Sequence, residues 1–315
     1  MCFTPSRAMA KNKEQDANDN SIPKIIYSAL HLMGIEFWIV AMGPFFIGWV
    51  IASNQFFPDI RGYLGLVTIG PLLGGFTFLL NDYSDMQMDS EHRRKKTSPL
   101  LKGVIEPETI LLTSIAMAVM SLFLALALSL EFTLIVLCIV ILSLLYSHPA
   151  TKLKAVGGSD IVINMVGIGL LCPLGGWIMG GRNPFEFPVF FLLSIIILIG
   201  ALYAPTTVAD YDVDKTHKIK TLAVRLGPKK TIYLAHILLT IGIASLMIEA
   251  WFDYVITRPM LYKTWPFLAI QPVFYLIFLR KPTYSNILAA LVLVSIAQIV
   301  GNILFLLYYT GELLF

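Results

Sequence analysis

Apolar stretches of about 20 residues follow one another along most of this chain, separated by short polar loops. At about 1.5 Å of rise per residue, a helix of that length crosses the hydrocarbon core of a bilayer. Charged residues make up only 14% of the 315 positions, against about 25% in a typical soluble domain. A soluble core cannot bury so much apolar surface, so the chain is predicted to be an integral membrane protein.

The apolar stretches are predicted to be helices. A membrane β-barrel would need short segments of alternating hydrophobicity, which this sequence does not contain. Nine candidate spans cover residues 26–53, 62–80, 108–129, 132–147, 160–180, 188–209, 229–249, 265–280 and 285–308. The predicted fold is therefore all-α and polytopic, with nine transmembrane helices.

Lysines and arginines lie mostly on one side of the predicted membrane. If the N-terminus is cytoplasmic, 19 of the 23 fall in the N-terminal tail and in the loops after spans 2, 4, 6 and 8. The outward segments carry the other four, namely Arg61, Arg182, Arg258 and Lys263. This asymmetry follows the positive-inside rule and predicts a cytoplasmic N-terminus and an extracytoplasmic C-terminus.

The first 22 residues differ from the rest of the chain, because they are polar, of mixed charge and without the apolar segment of a signal peptide. They are predicted to form a disordered cytoplasmic tail over residues 1–22, with the membrane domain over residues 23–315. The three cysteines are too few for a disulfide framework. A net charge of +3 gives no indication of nucleic-acid binding. Because of the apolar spans, the expected surroundings are membrane lipid.

Two of the inward loops share a layout, with an acidic cluster at the end of a span and a basic stretch behind it. NDYSDMQMDSEHRRKK follows span 2, and ADYDVDKTHKIKTLAVRLG follows span 6. On a helix, Asp82, Asp85 and Asp89 fall at i, i+3 and i+7 and therefore share one face. In the second loop, Asp210 and Asp214 stand at i and i+4.

Carboxylates stacked on one helix face repel each other unless a cation lies among them. Hard oxygen ligands that leave room for water and phosphate oxygens suit Mg²⁺. The candidate metal ligands are Asn81, Asp82, Asp85, Asp89, Asp210 and Asp214. The alternative is that these groups are solvated helix ends paired with neighbouring lysines. Two such clusters on the same side of the membrane favour the metal site.

A third inward segment, YSHPATKLKAVGGSD, lies between the two acidic loops. Tyr146 offers a hydroxyl, and Lys152 and Lys154 offer point charges of the kind that hold phosphate. For Lys152, phosphate binding and anchoring at the membrane surface are equally compatible with the sequence, whereas for Lys154 we favour anchoring. Asn164, on span 5 just beyond this segment, is a candidate for the substrate pocket.

These segments resemble the motifs of the UbiA superfamily of intramembrane aromatic prenyltransferases. NDYSDMQMD matches the NDxxDxxxD signature, and the DxxxD of Asp210 and Asp214 followed by KTLAVRLG resembles the second motif. YSHPATKLK resembles the YSxPPxRLK segment of the chlorophyll-synthase-like and quinone-pathway branches. The motifs come in the family's order, and the similar layout covers roughly residues 25–310.

The resemblance implies nine helices around a central cavity that opens sideways to lipid. It further implies that both Asp motifs bind Mg²⁺, which grips the diphosphate of a polyprenyl donor. The substrate-binding residues would be Asn81, Tyr146, Lys152 and Asn164. Of these, Tyr146 and Lys152 would act in catalysis together with Asp210, which could accept the proton released by a lipophilic or aromatic acceptor.

The sequence also departs from the family pattern. SPLLKG stands where the family usually has RPxxSG, so that Ser98 replaces the arginine and Lys102 the serine. Ala150 replaces the second proline of the YSxPP segment, and Lys218 replaces a glycine before KTL. The expected activity is Mg²⁺-dependent prenyl transfer. The alternatives are a UbiA-type terpene cyclase, which needs no acceptor, and a non-catalytic membrane transporter.

Overall fold

The computed structural model describes residues 30–89, 100–101 and 105–313, without the side chains of residues 87–89. The predicted tail over residues 1–22 lies outside this part of the chain, as do Ser98 and Lys102. The described residues form helices and turns and contain no β-strand. The prediction of an all-α, polytopic membrane protein is confirmed.

Nine long helices and two short ones make up the described part of the chain. The long helices are α1 (Trp38–Ser53), α2 (Ile60–Val67, Thr68–Gly74 and Gly75–Asp89), α3 (Pro107–Leu128), α4 (Leu130–Ser147), α5 (Ser159–Asn164, Met165–Leu171 and Cys172–Met179), α6 (Val189–Ala209), α9 (Pro228–Trp251), α10 (Arg258–Phe278) and α11 (Tyr284–Tyr309). The short helices are α7 (Tyr211–Thr216) and α8 (Leu222–Leu226), which lie between α6 and α9.

Eight of the long helices are long and apolar enough to cross a membrane. The remaining one, α10, has 21 residues but is less apolar, since it carries Arg258 and Lys263, and it contains Pro266 and Pro272. It packs against both α9 and α11. It also begins seven residues before the predicted span at 265, because the helix continues through the less apolar residues 258–264.

The helices α1 and α5 pack closely although three spans, α2, α3 and α4, lie between them in the sequence. A Cβ atom on Gly176 would lie 1.8 Å from the carbonyl oxygen of Phe45, and one on Gly48 would lie 2.0 Å from that of Pro173. The two backbones are thus in direct contact, which is the use of small residues expected between membrane helices. This crossing connects α1 to the second half of the chain, which carries the second acidic motif.

Two helices contain π-helical segments, Thr68–Gly74 in α2 and Met165–Leu171 in α5. A proline lies in or close to each segment, and proline lacks the N–H that the regular i→i−4 ladder requires. Pro71 lies inside the first segment, and Pro173 lies just after the second. The first segment precedes the acidic end of α2 by about two turns, so it helps to set the direction in which that acidic end faces.

Candidate active site

The C-terminal end of α2 holds the first acidic motif against the loop between α4 and α5. Lys154 Nζ donates a hydrogen bond to Asn81 Oδ1 at 2.8 Å and another to Asp85 Oδ2. Lys152 Nζ lies 3.6 Å from Asp85 Oδ1, an ion-pair distance that is too long for a hydrogen bond. The carboxylate of Asp85 is only 5% exposed, so its charge is balanced inside the protein by two lysines.

The structure corrects the expectation for Lys154, which is not a membrane-surface anchor. It is 6% exposed, and its ammonium group lies 5.7 Å from the centre of the Tyr146 ring. A buried carboxylate such as that of Asp85 requires a paired cation, and Lys154 supplies it. The nearby aromatic face adds a cation–π contact. Lys152 is the more exposed of the two lysines, with a third of its side chain accessible.

The loop conformation explains how two lysines only two residues apart reach the same carboxylate. Lys152 has a left-handed backbone, with φ of +34°, and it precedes a single 3₁₀ turn over Leu153–Ala155. A regular helix would not direct residues i and i+2 to one point in this way. The turn is held further by the Ser159 hydroxyl, which donates a hydrogen bond to the carbonyl oxygen of Val156 at 2.6 Å.

The second acidic motif lies where α6 ends and α7 begins. Asp210 follows the last residue of α6, and its carbonyl oxygen accepts a hydrogen bond from Asp214 N at 3.0 Å. The Asp214 side chain is 7% exposed and accepts a hydrogen bond from Thr221 Oγ1 at 3.0 Å. The chain returns through Lys218, whose φ of +57° is left-handed, a conformation that favours glycine at this position.

A pair of tyrosines connects the two motifs. The hydroxyl groups of Tyr146 on α4 and Tyr203 on α6 are hydrogen-bonded at 2.9 Å. Three carboxylates, from both motifs and from α5, lie within Coulombic range of the Tyr146 hydroxyl, namely Asp160, Asp85 and Asp214. The Tyr203 hydroxyl lies within range of Asp160 and Asp210. The two predicted acidic clusters therefore converge on one region of the protein.

Asp160, at the start of α5, is a site residue that the sequence did not single out. Its side chain is fully buried, and Oδ2 accepts a hydrogen bond from Leu222 N at 3.0 Å. Leu222 begins α8, directly after the Thr221 that binds Asp214, so Asp160 fixes the segment behind the second motif. Asp160 Oδ1 is buried without a hydrogen-bond partner in the described part of the chain.

Other predicted residues contribute less to this geometry. Asn164 is partly buried, and its Nδ2 donates to the carbonyl oxygen of Asp160 at 2.9 Å within α5. The side chain of Asp89 lies outside the described residues, although its backbone ends α2. Asp82 is partly buried on the same turn as Asn81. Tyr203, like Asp160, carried no motif signal, because only the folded chain brings it beside Tyr146.

The site has the donor atoms that Mg²⁺ requires. Among the described side chains, no three His, Cys, Asp or Glu groups lie close enough together to hold a metal ion. Instead, the ammonium group of Lys154 bridges Asn81 and Asp85. The available ligands are nevertheless hard oxygens of the kind that Mg²⁺ prefers. One of them, Asp85 Oδ1, is buried and makes no hydrogen bond, so the residues fit the ion.

Comparisons with known proteins agree with the geometry. The UbiA prenyltransferase family matches residues 41–296. A digeranylgeranylglyceryl phosphate synthase of Saccharolobus solfataricus is 24% identical over 262 residues, which cover 82% of this chain and 88% of the relative. A second enzyme of that name, from Sulfurisphaera tokodaii, is 26% identical over 214 residues, which cover 66% of this chain and 73% of the relative.

The fold also matches a solved structure. A UbiA homolog from Archaeoglobus fulgidus, determined with bound GPP and Mg²⁺, superposes with a TM-score of 0.65 and 19% sequence identity. The match covers 90% of this chain and 98% of that chain. At this identity the likeness establishes a shared fold.

Proposed function

Because the chain belongs to the UbiA prenyltransferase family, we propose that it transfers a polyprenyl group from an isoprenoid diphosphate to a lipophilic acceptor inside the membrane, with Mg²⁺ as cofactor. The observation that carries the proposal is the convergence of both acidic motifs on the Tyr146–Tyr203 pair. A transporter would have no evident use for two acidic clusters and two lysines at one end of its helices. The transferase needs all of them to bind a diphosphate.

The residues of the site fit a diphosphate in complex with a metal ion. Asn81 and Asp85, together with Asp210 and Asp214, would hold Mg²⁺, with Asp82 and Asp89 on the same helix as Asn81. When bound, Mg²⁺ acts as a Lewis acid that neutralises charge on the diphosphate leaving group. Lys152 and Lys154 can move from Asp85 to phosphate oxygens, because both are long side chains that already lie at the site.

The reaction then follows from the position of these groups. The bond between the allylic carbon and its oxygen breaks, and diphosphate leaves with the electron pair. The acceptor forms a new bond to that carbon and releases a proton, for which the Asp210 carboxylate is the candidate base. Tyr146, whose ring lies beside the Lys154 ammonium group, would donate a hydrogen bond to the departing diphosphate. A site within the bilayer excludes the water that would otherwise capture the prenyl cation.

The relatives favour a particular acceptor among those that the sequence allowed. Both relatives described above are named for making digeranylgeranylglyceryl phosphate. Removal of one geranylgeranyl group from that product leaves geranylgeranylglyceryl phosphate, a lipid with a free hydroxyl group. For our chain we therefore propose a lipid alcohol of this kind in preference to an aromatic acceptor. The hydroxyl oxygen would attack the allylic carbon and form an ether.

The test is a transfer assay with purified protein in lipid nanodiscs, Mg²⁺ and radiolabelled geranylgeranyl diphosphate. Three parallel samples contain no acceptor, geranylgeranylglyceryl phosphate, or a hydroxybenzoic acid. We expect rapid diphosphate release and a prenylated ether lipid only in the second sample. A cyclised hydrocarbon in the first sample would show that the protein is a cyclase. Prenylation of the aromatic acid alone would keep the transferase assignment but contradict the lipid acceptor.

Substitutions of the proposed metal ligands test the metal site separately. Asp85→Ala and Asp210→Ala should each abolish Mg²⁺-dependent transfer while folded protein remains in the membrane, since each removes a hard ligand from a preassembled site. Asp253→Ala is the matched control, because Asp253 pairs with Arg258 in the exposed loop before α10, far from both motifs in the sequence. Full activity of both site variants would contradict the metal-site proposal.

A further inference from the structure

An open pocket of about 510 Å³ lies beside the second acidic motif, between the loop that precedes α5 and the segment around α8. It is lined by Val156, Gly157, Lys220, Val224 and Arg225. We propose that this pocket binds the phosphate group of the acceptor lipid. The inference rests on the function proposed above and assigns the part of the protein that would select a phosphorylated acceptor.

The charges in the pocket fit an anion. Lys220 and Arg225 are both exposed, and none of the described residues that line the pocket is acidic. Within the described part of the chain, Lys220 makes no hydrogen bond and no ion pair. Arg225 uses one terminal nitrogen to donate to the carbonyl oxygen of Gly157 at 2.6 Å. The rest of the guanidinium group keeps donors for the fork-like binding of phosphate that arginine performs well.

Gly157, on the opposite wall of the pocket, has no side chain and so leaves room for Arg225. A Cβ atom on Gly157 would lie 2.7 Å from Arg225 Cδ, so any larger residue would displace the side chain. The two walls are joined again by the hydrogen bond from Leu222 N to Asp160 Oδ2, at 3.0 Å. One side of the exposed guanidinium group is therefore held in place by the carbonyl oxygen of Gly157.

The pocket is also well placed for an acceptor whose other end is a lipid chain. Lys220 directly precedes Thr221, which binds the carboxylate of Asp214 in the second motif. A phosphate in the pocket would thus lie next to the donor site without competing for its carboxylates. Val156, which is 53% exposed, and the partly buried Val224 give the pocket an apolar side along which a lipid chain could lie.

The experiment compares two acceptors that differ only in the phosphate, geranylgeranylglyceryl phosphate and geranylgeranylglycerol. With Lys220→Gln or Arg225→Gln, we expect the KM for the phosphorylated acceptor to rise about tenfold, the value of one lost hydrogen bond to a charged group. The KM for geranylgeranyl diphosphate and the kcat at saturating acceptor should change little. With the neutral acceptor, the variants and the unmodified protein should behave alike.

Two further variants serve as controls. Lys229→Gln and Lys230→Gln remove exposed positive charges from the start of α9, close in sequence but outside the pocket, and should leave both KM values unchanged. Gly157→Ala retains both charges but displaces Arg225, and it should raise the KM for the phosphorylated acceptor selectively. Equal effects on both acceptors, or an unchanged KM in the Lys220 and Arg225 variants, would overturn the inference.

An ordinary anionic phospholipid could present the same phosphate chemistry, and the membrane composition separates the two sources. The assay is run in nanodiscs of phosphatidylcholine alone and of phosphatidylcholine with phosphatidylglycerol. If the variants lose activity only when phosphatidylglycerol is present, the pocket binds bulk lipid and the inference is wrong. Failure of the unmodified protein to prenylate any acceptor would instead contradict the proposed function. Selective transfer by that protein with unaffected variants would contradict the pocket alone.

Discussion

The two lysines that meet Asp85 differ in burial, and this difference predicts different consequences of their removal. Lys154→Met takes away the bridging cation of a buried carboxylate, a change that costs about 3–5 kcal/mol when a buried pair is broken. Lys152 lies 3.6 Å from the carboxylate and is partly exposed, so Lys152→Met should affect stability far less. Both should weaken binding of the diphosphate donor.

The measurements for this pair are thermal unfolding in detergent and equilibrium binding of geranylgeranyl diphosphate with Mg²⁺. We expect a clear fall in melting temperature for Lys154→Met and a small one for Lys152→Met, with weaker donor binding in both. Equal melting temperatures would show that the ion pair between Lys154 and Asp85 does not stabilise the folded protein.

Asp160 is predicted to position the second motif without touching the substrate. Asp160→Ala removes the acceptor for Leu222 N, and an unsatisfied buried donor costs about 1–3 kcal/mol. We expect the variant to need more Mg²⁺ for half-maximal donor binding, because Thr221 and Asp214 lose their support. Asp160→Asn keeps an oxygen that can accept from Leu222 N and should restore most of the affinity.

A double-mutant cycle tests the path from Asp160 through Thr221. If both residues act through Asp214, the effects of Asp160→Ala and Thr221→Val on the Mg²⁺ requirement should fall short of additivity. Strict additivity, or an Asp160→Asn variant as impaired as the alanine variant, would contradict a positioning role.

The motif residues could be predicted from the sequence, whereas their partners could not. Helical spacing was sufficient to place Asn81 and Asp85 on adjacent turns of one helix. That Lys154 binds both depends on a left-handed turn at Lys152, which no periodicity reveals. Asp160 is a single acidic residue after a glycine pair, and its importance arises only from a contact with Leu222, 62 residues away.

At the scale of helices, the crossing of α1 and α5 gives a sharp test. Gly176→Ala would place a methyl group 1.8 Å from a backbone oxygen of α1, which cannot move aside as a side chain can. We expect a loss of at least about 3 kcal/mol, at the upper end of overpacking effects, seen as a large fall in melting temperature or in the yield of folded protein.

Gly167→Ala on the same helix is the control, because a Cβ atom there would meet nothing within 4 Å. It should leave the melting temperature close to that of the unmodified protein. If the two variants were equally stable, close backbone contact between α1 and α5 would have to be abandoned as a determinant of the fold.

The nine long helices in the described part of the chain followed from the apolar stretches of the sequence, although hydropathy and length mark only eight of them as membrane spans. The π-helical segments did not follow, although Pro71 and Pro173 offered a signal for them. A proline in a span indicates a break in the hydrogen-bond ladder, but its form depends on which neighbouring groups satisfy the freed carbonyls.

For the whole molecule, the orientation in the membrane is a prediction that labelling can check. In a background without Cys2, Cys138 and Cys172, single cysteines replace Lys95, Lys218 or Arg182. A membrane-impermeant reagent should reach the first two only from the cytoplasmic side, and the third only from the opposite side. Reaction of Arg182→Cys and Lys95→Cys from the same face would refute the topology.

The contact between α1 and α5 also constrains how the protein is made. Gly48 and Gly176 are 128 residues apart, so at about 5–20 residues per second the ribosome needs roughly 6–26 s to synthesise the partner after α1 has emerged. During that interval α2 can already pack against α1, but the α5 backbone that Gly48 contacts does not yet exist. Insertion into the bilayer and helix assembly must therefore be separate events in the biogenesis of this protein.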